Sequence, residues 1–346
     1  MAKEIILITG GAGFIGSNIA VHFLNLGHEV NIIDNFSRKG SRQIAKWLKT
    51  KFLNCTIFKG DIVHNRKLLS QLVSKVDIVF HMAAQVAVTT SVLNPRKDFE
   101  VNVLGTINLL EAIRESQSKP ILIFASTNKV YGNMDFTDTK LESNRYMYAD
   151  IPLGISEYYP LDFHSPYGCS KGSADQYIRD YSRIYGLKSI VFRQSCIYGE
   201  RQFGIEDQGW VAWFSIAAIF KKQITIYGDG RQVRDVLHVT DLINAYELSI
   251  KNIESTSGQI YNIGGGPNNT LSLLELLDIL KNILQENIPV NYSSWRPGDQ
   301  RVYISSIGKL SKDLGWSPKI KSIDGINQLC HWVYQNKKLI LSSGIL

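Results

Sequence analysis

Tyr167 and Lys171 stand four residues apart, a spacing that puts a phenol and an ammonium on one face of a helix. Ser165 suits the N-cap and Pro166 the first helical position, so a helix is expected to open here. A free phenol titrates near 10, and to accept a proton near neutrality it must be lowered by about 3 units, roughly 4 kcal/mol. A cation about 5 Å away at an effective dielectric of about 20 supplies around 3 kcal/mol, and Lys171 is the expected source. A hydroxyl joins the pair. The run Phe124-Ala125-Ser126-Thr127-Asn128-Lys129-Val130-Tyr131-Gly132 reads as a strand that stops abruptly, and ligands bind at the C-terminal ends of such strands. Thr127 there can hold a substrate hydroxyl.

A second chemistry lies near the N-terminus. The apolar run Ile5 to Thr9 is followed by Gly10, Gly11, Ala12, Gly13, Phe14, Ile15 and Gly16, then by a helical pattern from Ser17 to Leu26. Strand, glycine turn and helix in this order form a dinucleotide fingerprint, in which the backbone approaches a pyrophosphate and the helix N-terminus offers it N–H groups. Asp34 ends the next strand, where a carboxylate accepts hydrogen bonds from ribose hydroxyls and repels a 2′-phosphate. NAD is therefore the expected cofactor, with Asn35 beside the acid, while Arg38 and Lys39 leave NADP open. Ala83, Ala84 and Gln85 follow a fourth strand and are small enough at the start to let a nicotinamide ribose lie against the backbone. The positive ring of oxidised NAD would add to Lys171 in lowering Tyr167.

These residues need a frame. Apolar runs at Ile5 to Thr9, Val30 to Ile33, Thr56 to Phe58, Ile78 to His81, Ile121 to Ala125 and Ser189 to Phe192 alternate with amphipathic helical stretches. Continuous apolar strands between helices predict an α/β fold, a Rossmann-type doubly wound parallel sheet covered on both faces. Residues 1–196 and 230–255 are assigned to this NAD-binding domain, and 197–229 and 256–341 to a smaller α/β lobe for the substrate. In the helix expected over Asp98 to Glu115, the residues Phe99, Val101, Asn102, Leu104, Gly105, Leu109 and Ile113 mark a mixed small and apolar face suited to a partner subunit. That helix and residues 167–185 would lie side by side and form a four-helix contact in a homodimer or homotetramer.

The chain has 346 residues, 44% of them hydrophobic and 20% charged, which fits a globular enzyme and excludes a disordered or low-complexity protein. A net charge of +7 is spread along the chain without a basic tract, so an anionic small molecule rather than nucleic acid is the expected partner. Cys55, Cys169, Cys196 and Cys330 show no metal-ligand spacing and fit a reducing cytoplasm. The start of the chain lacks a signal-peptide pattern, and Val211 to Phe220 is too short to span a membrane.

The strings T-G-G-A-G-F-I-G, H-M-A-A, N-V-x-G-T, Y-G-C-S-K and R-x-V-R-D-V-L-H-V-x-D (231 to 241) resemble the extended short-chain dehydrogenase/reductase family of nucleotide-sugar enzymes over about residues 4 to 335. The resemblance implies Thr127, Tyr167 and Lys171 as a catalytic triad. It implies Gly10, Gly13, Phe14, Ile15, Gly16, Asp34, Asn35, Arg38, Asp61, Ile62, Ala83, Ala84, Gln85, Tyr167 and Lys171 as the NAD site, with Asn102 supporting it. Arg234 and Arg301 are implied to grip the substrate's diphosphate, a task suited to guanidinium forks. Asn128 and His164 are candidates for sugar hydroxyls. Ser306 departs from an Asp common in relatives, in a local turn.

Family dehydratases carry an acidic pair directly after the Thr, where this chain has Asn128 and Lys129, neither an acid of suitable strength, so dehydration is not expected. The longer strings S-T-N-K-V-Y-G, Q-V-A-V-T-T-S, L-D-F-H-S-P-Y-G-C-S-K-G and D-Q-G-W-V-A-W-F resemble members that invert carbon 2 of a CDP-linked sugar with recycled NAD. Two alternatives stay open: a UDP-sugar 4-epimerase or decarboxylase, and a non-catalytic NAD-binding regulator.

Overall fold

The computed structural model describes residues 3–134, 136–296 and 299–346. The first apolar runs form β1 (Ile5–Thr9), β2 (Glu29–Asp34), β3 (Cys55–Lys59), β4 (Ile78–His81) and β5 (Ile121–Thr127). With Ser189–Gln194 and Ile260–Ile263 they make a seven-stranded sheet in which every pairing is parallel. From one edge the order is Ile260–Ile263, Ser189–Gln194, β5, β4, β1, β2, β3. The expected doubly wound α/β sheet is borne out.

Alternation along each strand divides the core. Ile6, Ile8, Ile78, Phe80 and Ile123 face one side, under α1 (Phe14–Asn25) and the helices Ser41–Lys51 and Val239–Lys251. Leu7, Val79, Leu122 and Phe124 face the other, under Arg66–Val73, Gly105–Glu115 and Ser165–Tyr185. The strand order reverses between β1 and β4, which opens a crevice at their C-terminal ends. The glycine turn after β1 and Ala83–Gln85 after β4 are its two lips.

The second core packs Trp210–Ile219, Leu273–Leu284 and Ser322–Gln335 together. Trp210–Ile219 is apolar on nearly every side because it is wrapped by this core. Among the described residues no helix is long and apolar enough to cross a membrane.

Three expectations need correction. Ile260–Ile263, assigned to the smaller lobe, is an edge strand of the main sheet, and Leu310 and Trp316 also pack on that sheet's core. Val233–His238, assigned to the NAD-binding domain, pairs instead with Cys196–Tyr198, Thr270–Ser272 and Val302–Tyr303. The chain crosses between the two cores more often than a four-segment division allows. The helix over 98–115 is not one regular face: Pro95–Phe99 passes through a π segment, Glu100–Leu104, into Gly105–Glu115. Its extra residue per turn shifts the register, so Asn102, Leu109 and Ile113 are buried within this chain while Phe99 and Leu104 are exposed.

Candidate active site

The turn after β1 can only be glycine where it matters. Gly10 has φ +67, and a Cβ on it would lie 2.7 Å from the Ala83 amide nitrogen; a Cβ on Gly16 would lie 2.5 Å from the Gly10 carbonyl oxygen. This close packing brings the start of α1 against both lips of the crevice. Gly13 is the N-cap, no side chain caps the helix, and Phe14, Ile15 and Gly16 form its first turn.

At the end of β2, Asp34 accepts from the Ala12 amide at 3.0 Å through Oδ2 and from the Phe36 amide at 2.8 Å through Oδ1. Burial pushes its carboxyl up, and these two hydrogen bonds oppose that push. Asn35 Nδ2 donates to Asp61 Oδ2 at 2.8 Å, and Asp61 Oδ1 accepts from the Val63 amide at 2.8 Å. Ile62 is buried, and a Cβ on Gly105 would strike it at 2.6 Å. Arg38 donates to Gln208 of the second lobe. An uncapped helix start, a tight glycine turn and a held carboxylate fit the pyrophosphate and ribose of NAD.

The other lip is fixed from below. Thr9 Oγ1 accepts from the Ala83 amide at 3.2 Å and lies 2.7 Å from His81 Nδ1, while His81 Nε2 is 3.0 Å from Thr106 Oγ1. Burial, then the Lys171 charge, pushes His81 down to about 3, so it is a neutral strut. Asn102 Oδ1 accepts from the Gln85 amide at 2.9 Å, and Asn102 Nδ2 donates to the Gln85 carbonyl at 3.0 Å and to Ser170 Oγ at 2.9 Å. Gln85 Nε2 donates to Asp98 Oδ1 at 2.7 Å, and the Ser170 hydroxyl donates to Asp98 Oδ2. Ala84 is half-buried on this lip.

Ser165–Tyr185 begins one residue earlier than an N-cap Ser165 would allow, with His164 as the cap residue. Ser165 nevertheless does part of a cap's work, since its Oγ accepts from the Gly168 amide at 3.3 Å. Its φ of +66 is left-handed for a non-glycine residue, so the backbone entering the helix is strained. Ser91 Oγ accepts from the Tyr167 amide at 3.2 Å, which fixes the first turn.

The structure brings Thr127, Tyr167 and Lys171 together, but not in the electrostatic state expected. Burial, reinforced by the Asp98 charge, pushes the Tyr167 phenol up to about 12 against the opposing effects of the Thr127 side chain and Arg38. Lys171 does not lower it here. Its Nζ donates to the Ala125 carbonyl at 2.6 Å and sits 4.1 Å from the centre of the Phe124 ring. Burial pushes this ammonium down to about 7, with Asp175 and Asp98 opposing. The expected depression of Tyr167 fails in this state because the lysine is itself desolvated and its proton is committed to a carbonyl.

Of the substrate candidates, Asn128 is buried beside Thr127, their side chains 3.4 Å apart. His164 lines a cavity of about 140 Å³ with Lys129, Gly132 and Ser165. Arg234 donates to Asp299 Oδ1 at 2.6 Å and to the Val233 carbonyl at 2.9 Å. Arg301 is exposed, its guanidinium 5.3 Å from the centre of the Tyr146 ring on the hairpin strand Arg145–Tyr148. The two arginines come from neighbouring segments, the Val233 amide donating to the Arg301 carbonyl at 2.8 Å. Sequence reasoning missed Asp98, Ser170, Asp175 and Arg193. Arg193 Nε donates to Asp175 Oδ2 at 2.9 Å and Nη2 to Oδ1 at 3.1 Å, and Ser126 Oγ donates to Asp175 Oδ2 at 2.8 Å. This buried pair ties the helix Ser165–Tyr185 to the strand end that carries Thr127. The one available signal was spacing: Asp98 lies one helical step from Asn102, and Asp175 one step from Lys171.

The lowered Lys171 makes a stability prediction. The unfolded chain holds a lysine proton up to about 10.4, whereas the folded protein releases it near 7, so the burial penalty is full below pH 7 and shrinks as pH rises toward that upper value. In protein stripped of dinucleotide, Lys171→Met is expected to change the thermal midpoint more favourably at pH 6 than at pH 9. Equal effects at both pH values in thermal melts would contradict a desolvated ammonium.

Residues 7–329 match the family model described as GDP-mannose 4,6 dehydratase. The chain is 45% identical over 334 residues to a CDP-paratose 2-epimerase of Salmonella typhi, covering 94% of this chain and 98% of that one. It is 32% identical over 335 residues to a putative UDP-glucose 4-epimerase of Methanocaldococcus jannaschii, covering 96% and 100%. The solved UDP-glucuronic acid 4-epimerase of Bacillus cereus, in complex with UDP-glucuronic acid and NAD, superposes with a TM-score of 0.81 at 26% identity over 96% of this chain and 99% of that one. The chain belongs to the GDP-mannose 4,6 dehydratase family of extended short-chain dehydrogenase/reductase proteins.

Proposed function

We propose that the protein is an NAD-dependent epimerase that inverts carbon 2 of a CDP-linked sugar in the cytoplasm. The observation that carries the reading is the buried Thr127–Tyr167 pair, in which the Thr127 side chain opposes the rise of the phenol, in a chain 45% identical to a CDP-paratose 2-epimerase. Gly10, Gly13, Gly16, Asp34, Asp61 and the lip Ala83–Gln85 would hold the cofactor. Bound there, NAD supplies an acceptor and then a donor of hydride, together with a positive charge near Tyr167. Thr127 and Tyr167 would hold the reacting hydroxyl between them. Tyr167 would take its proton and later return one, and Lys171 would orient the nicotinamide ribose while its ammonium stays anchored to Ala125. Water elimination needs one side chain to give a proton and another to take one, and the Asn128 amide does neither.

Incubation with CDP-, UDP- and GDP-sugars, read by NMR, tests the substrate. A CDP-sugar inverted at carbon 2 is expected, with deuterium placed on that carbon retained in the product and none acquired from heavy water. Inversion at carbon 4, or solvent deuterium at carbon 2, would refute the reading.

Tyr167→Phe should lower kcat by about 10²- to 10⁴-fold while substrate and NAD affinity stay close to wild type, because a proton transfer alone is removed. A near-normal kcat in steady-state assays would exclude Tyr167 as the base.

The helical run from Pro95 to Glu115 packs beside Ser165–Tyr185, and the two leave Phe99, Leu104, Tyr177 and Ile184 exposed, apolar side chains suited to a second copy of the chain. Light scattering at micromolar concentration should report a homodimer or larger, and Tyr177→Lys with Ile184→Glu should shift it to monomer. A monomeric wild-type protein would rule this surface out.

A further inference from the structure

The cavity lined by His164 and Ser165 also takes in a lysine that the proton chemistry leaves unused. Lys129 follows Thr127 by two residues on the short turn Asn128–Tyr131 and enters a cavity with Val88, Gly132, Asn133, His164 and Ser165. Its Nζ is 3.4 Å from Gln300 Oε1, a neutral acceptor. Burial and the charge of Arg234 push its ammonium down to about 8, with the Asp299 carboxylate and the Cys196 thiol opposing. Asp299 is already paired with Arg234 at 2.6 Å. Lys129 and Arg234 are thus two cations offset by one carboxylate, and Lys129 itself lines the cavity, an excess of positive charge suited to an anion.

The substrate class fixes which anion belongs there. In a nucleoside-diphosphate sugar the sugar-linked phosphorus is three bonds from carbon 2 but five from carbon 4. If carbon 2 is held at Thr127 and Tyr167, that phosphate must lie close to the reacting hydroxyl, within reach of a long cation rooted two residues from Thr127. If carbon 4 reacts, the sugar ring separates the two.

We propose that Lys129 grips the sugar-linked phosphate of the substrate and so presents carbon 2, rather than carbon 4, to Thr127 and Tyr167. This rests on the nucleotide-sugar reading above. Titration calorimetry with CDP and CMP, on full-length protein saturated with NAD, reads the phosphate directly because CMP lacks it. Lys129→Met is expected to weaken CDP by about 10- to 100-fold, the range for a charge-assisted hydrogen bond, and to leave CMP within about twofold. CMP binding also reports that the variant has folded, and Lys129→Arg should keep most of the CDP affinity. An unchanged CDP affinity, or equal losses for CDP and CMP, would overturn the assignment. The same measurements with UDP and UMP separate the two readings. A diphosphate-specific loss on the uridine pair without any preference for cytidine would sink the CDP reading and uphold Lys129, whereas wild-type protein that binds neither diphosphate would overturn both.

Discussion

The candidate site depends on one buried carboxylate. Asp98, 1% exposed, accepts from Gln85 on the β4 lip and from Ser170 on the helix Ser165–Tyr185, and Asn102 of the π segment lies within 3.4 Å of it. Three elements are thereby held at one point, and each carries part of the candidate site: the Gln85 backbone, the Asn102 amide and the Tyr167–Lys171 face. A buried charge of this kind is tolerated because hydrogen bonds surround it, and removing any one partner leaves it exposed to the full desolvation penalty. The Asp175–Arg193 pair does the same on the opposite side of the helix. Arg193 Nη1 donates to Tyr131 at 3.0 Å and Tyr131 donates to Asn262 at 2.7 Å, so that network reaches the edge strand Ile260–Ile263.

Much of this was legible in the residues themselves. Ile5–Thr9 and Ile78–His81 have the bounds their apolar runs imply, because a strand covered on both faces stays apolar up to the polar residue that ends it. The glycine turn and Asp34 could be placed because each does a backbone or ribose job that few residue types can do. Ile260–Ile263 was assigned to the wrong lobe because it is four residues long, contains Asn262, and follows a long excursion through the second core. The π segment was invisible for a different reason: its residues are ordinary helix formers, and the extra residue is stabilised by what Asn102 reaches, not by local propensity.

The electrostatics of the triad were the least legible part. Spacing places Lys171 on the Tyr167 face, but it says nothing of how deeply both are buried. Depth decides the sign here, since desolvation raises the phenol and lowers the ammonium at once. The free protein therefore holds the Tyr167 phenol in the protonated form. A ligand-borne positive charge then has a large effect in a pocket with little water to screen it.

The left-handed backbone at Ser165 has a consequence for how the site tolerates change. A helix that starts from a strained residue is aimed by that residue, and Tyr167 sits only two positions further on. Glycine at 165 would adopt the same φ without the penalty a side chain incurs, yet it would remove the hydroxyl that holds the Gly168 amide. The more comfortable backbone would thus be the less accurately pointed one. At this position thermodynamic ease and angular accuracy pull in opposite directions, and the serine sits on the side of accuracy.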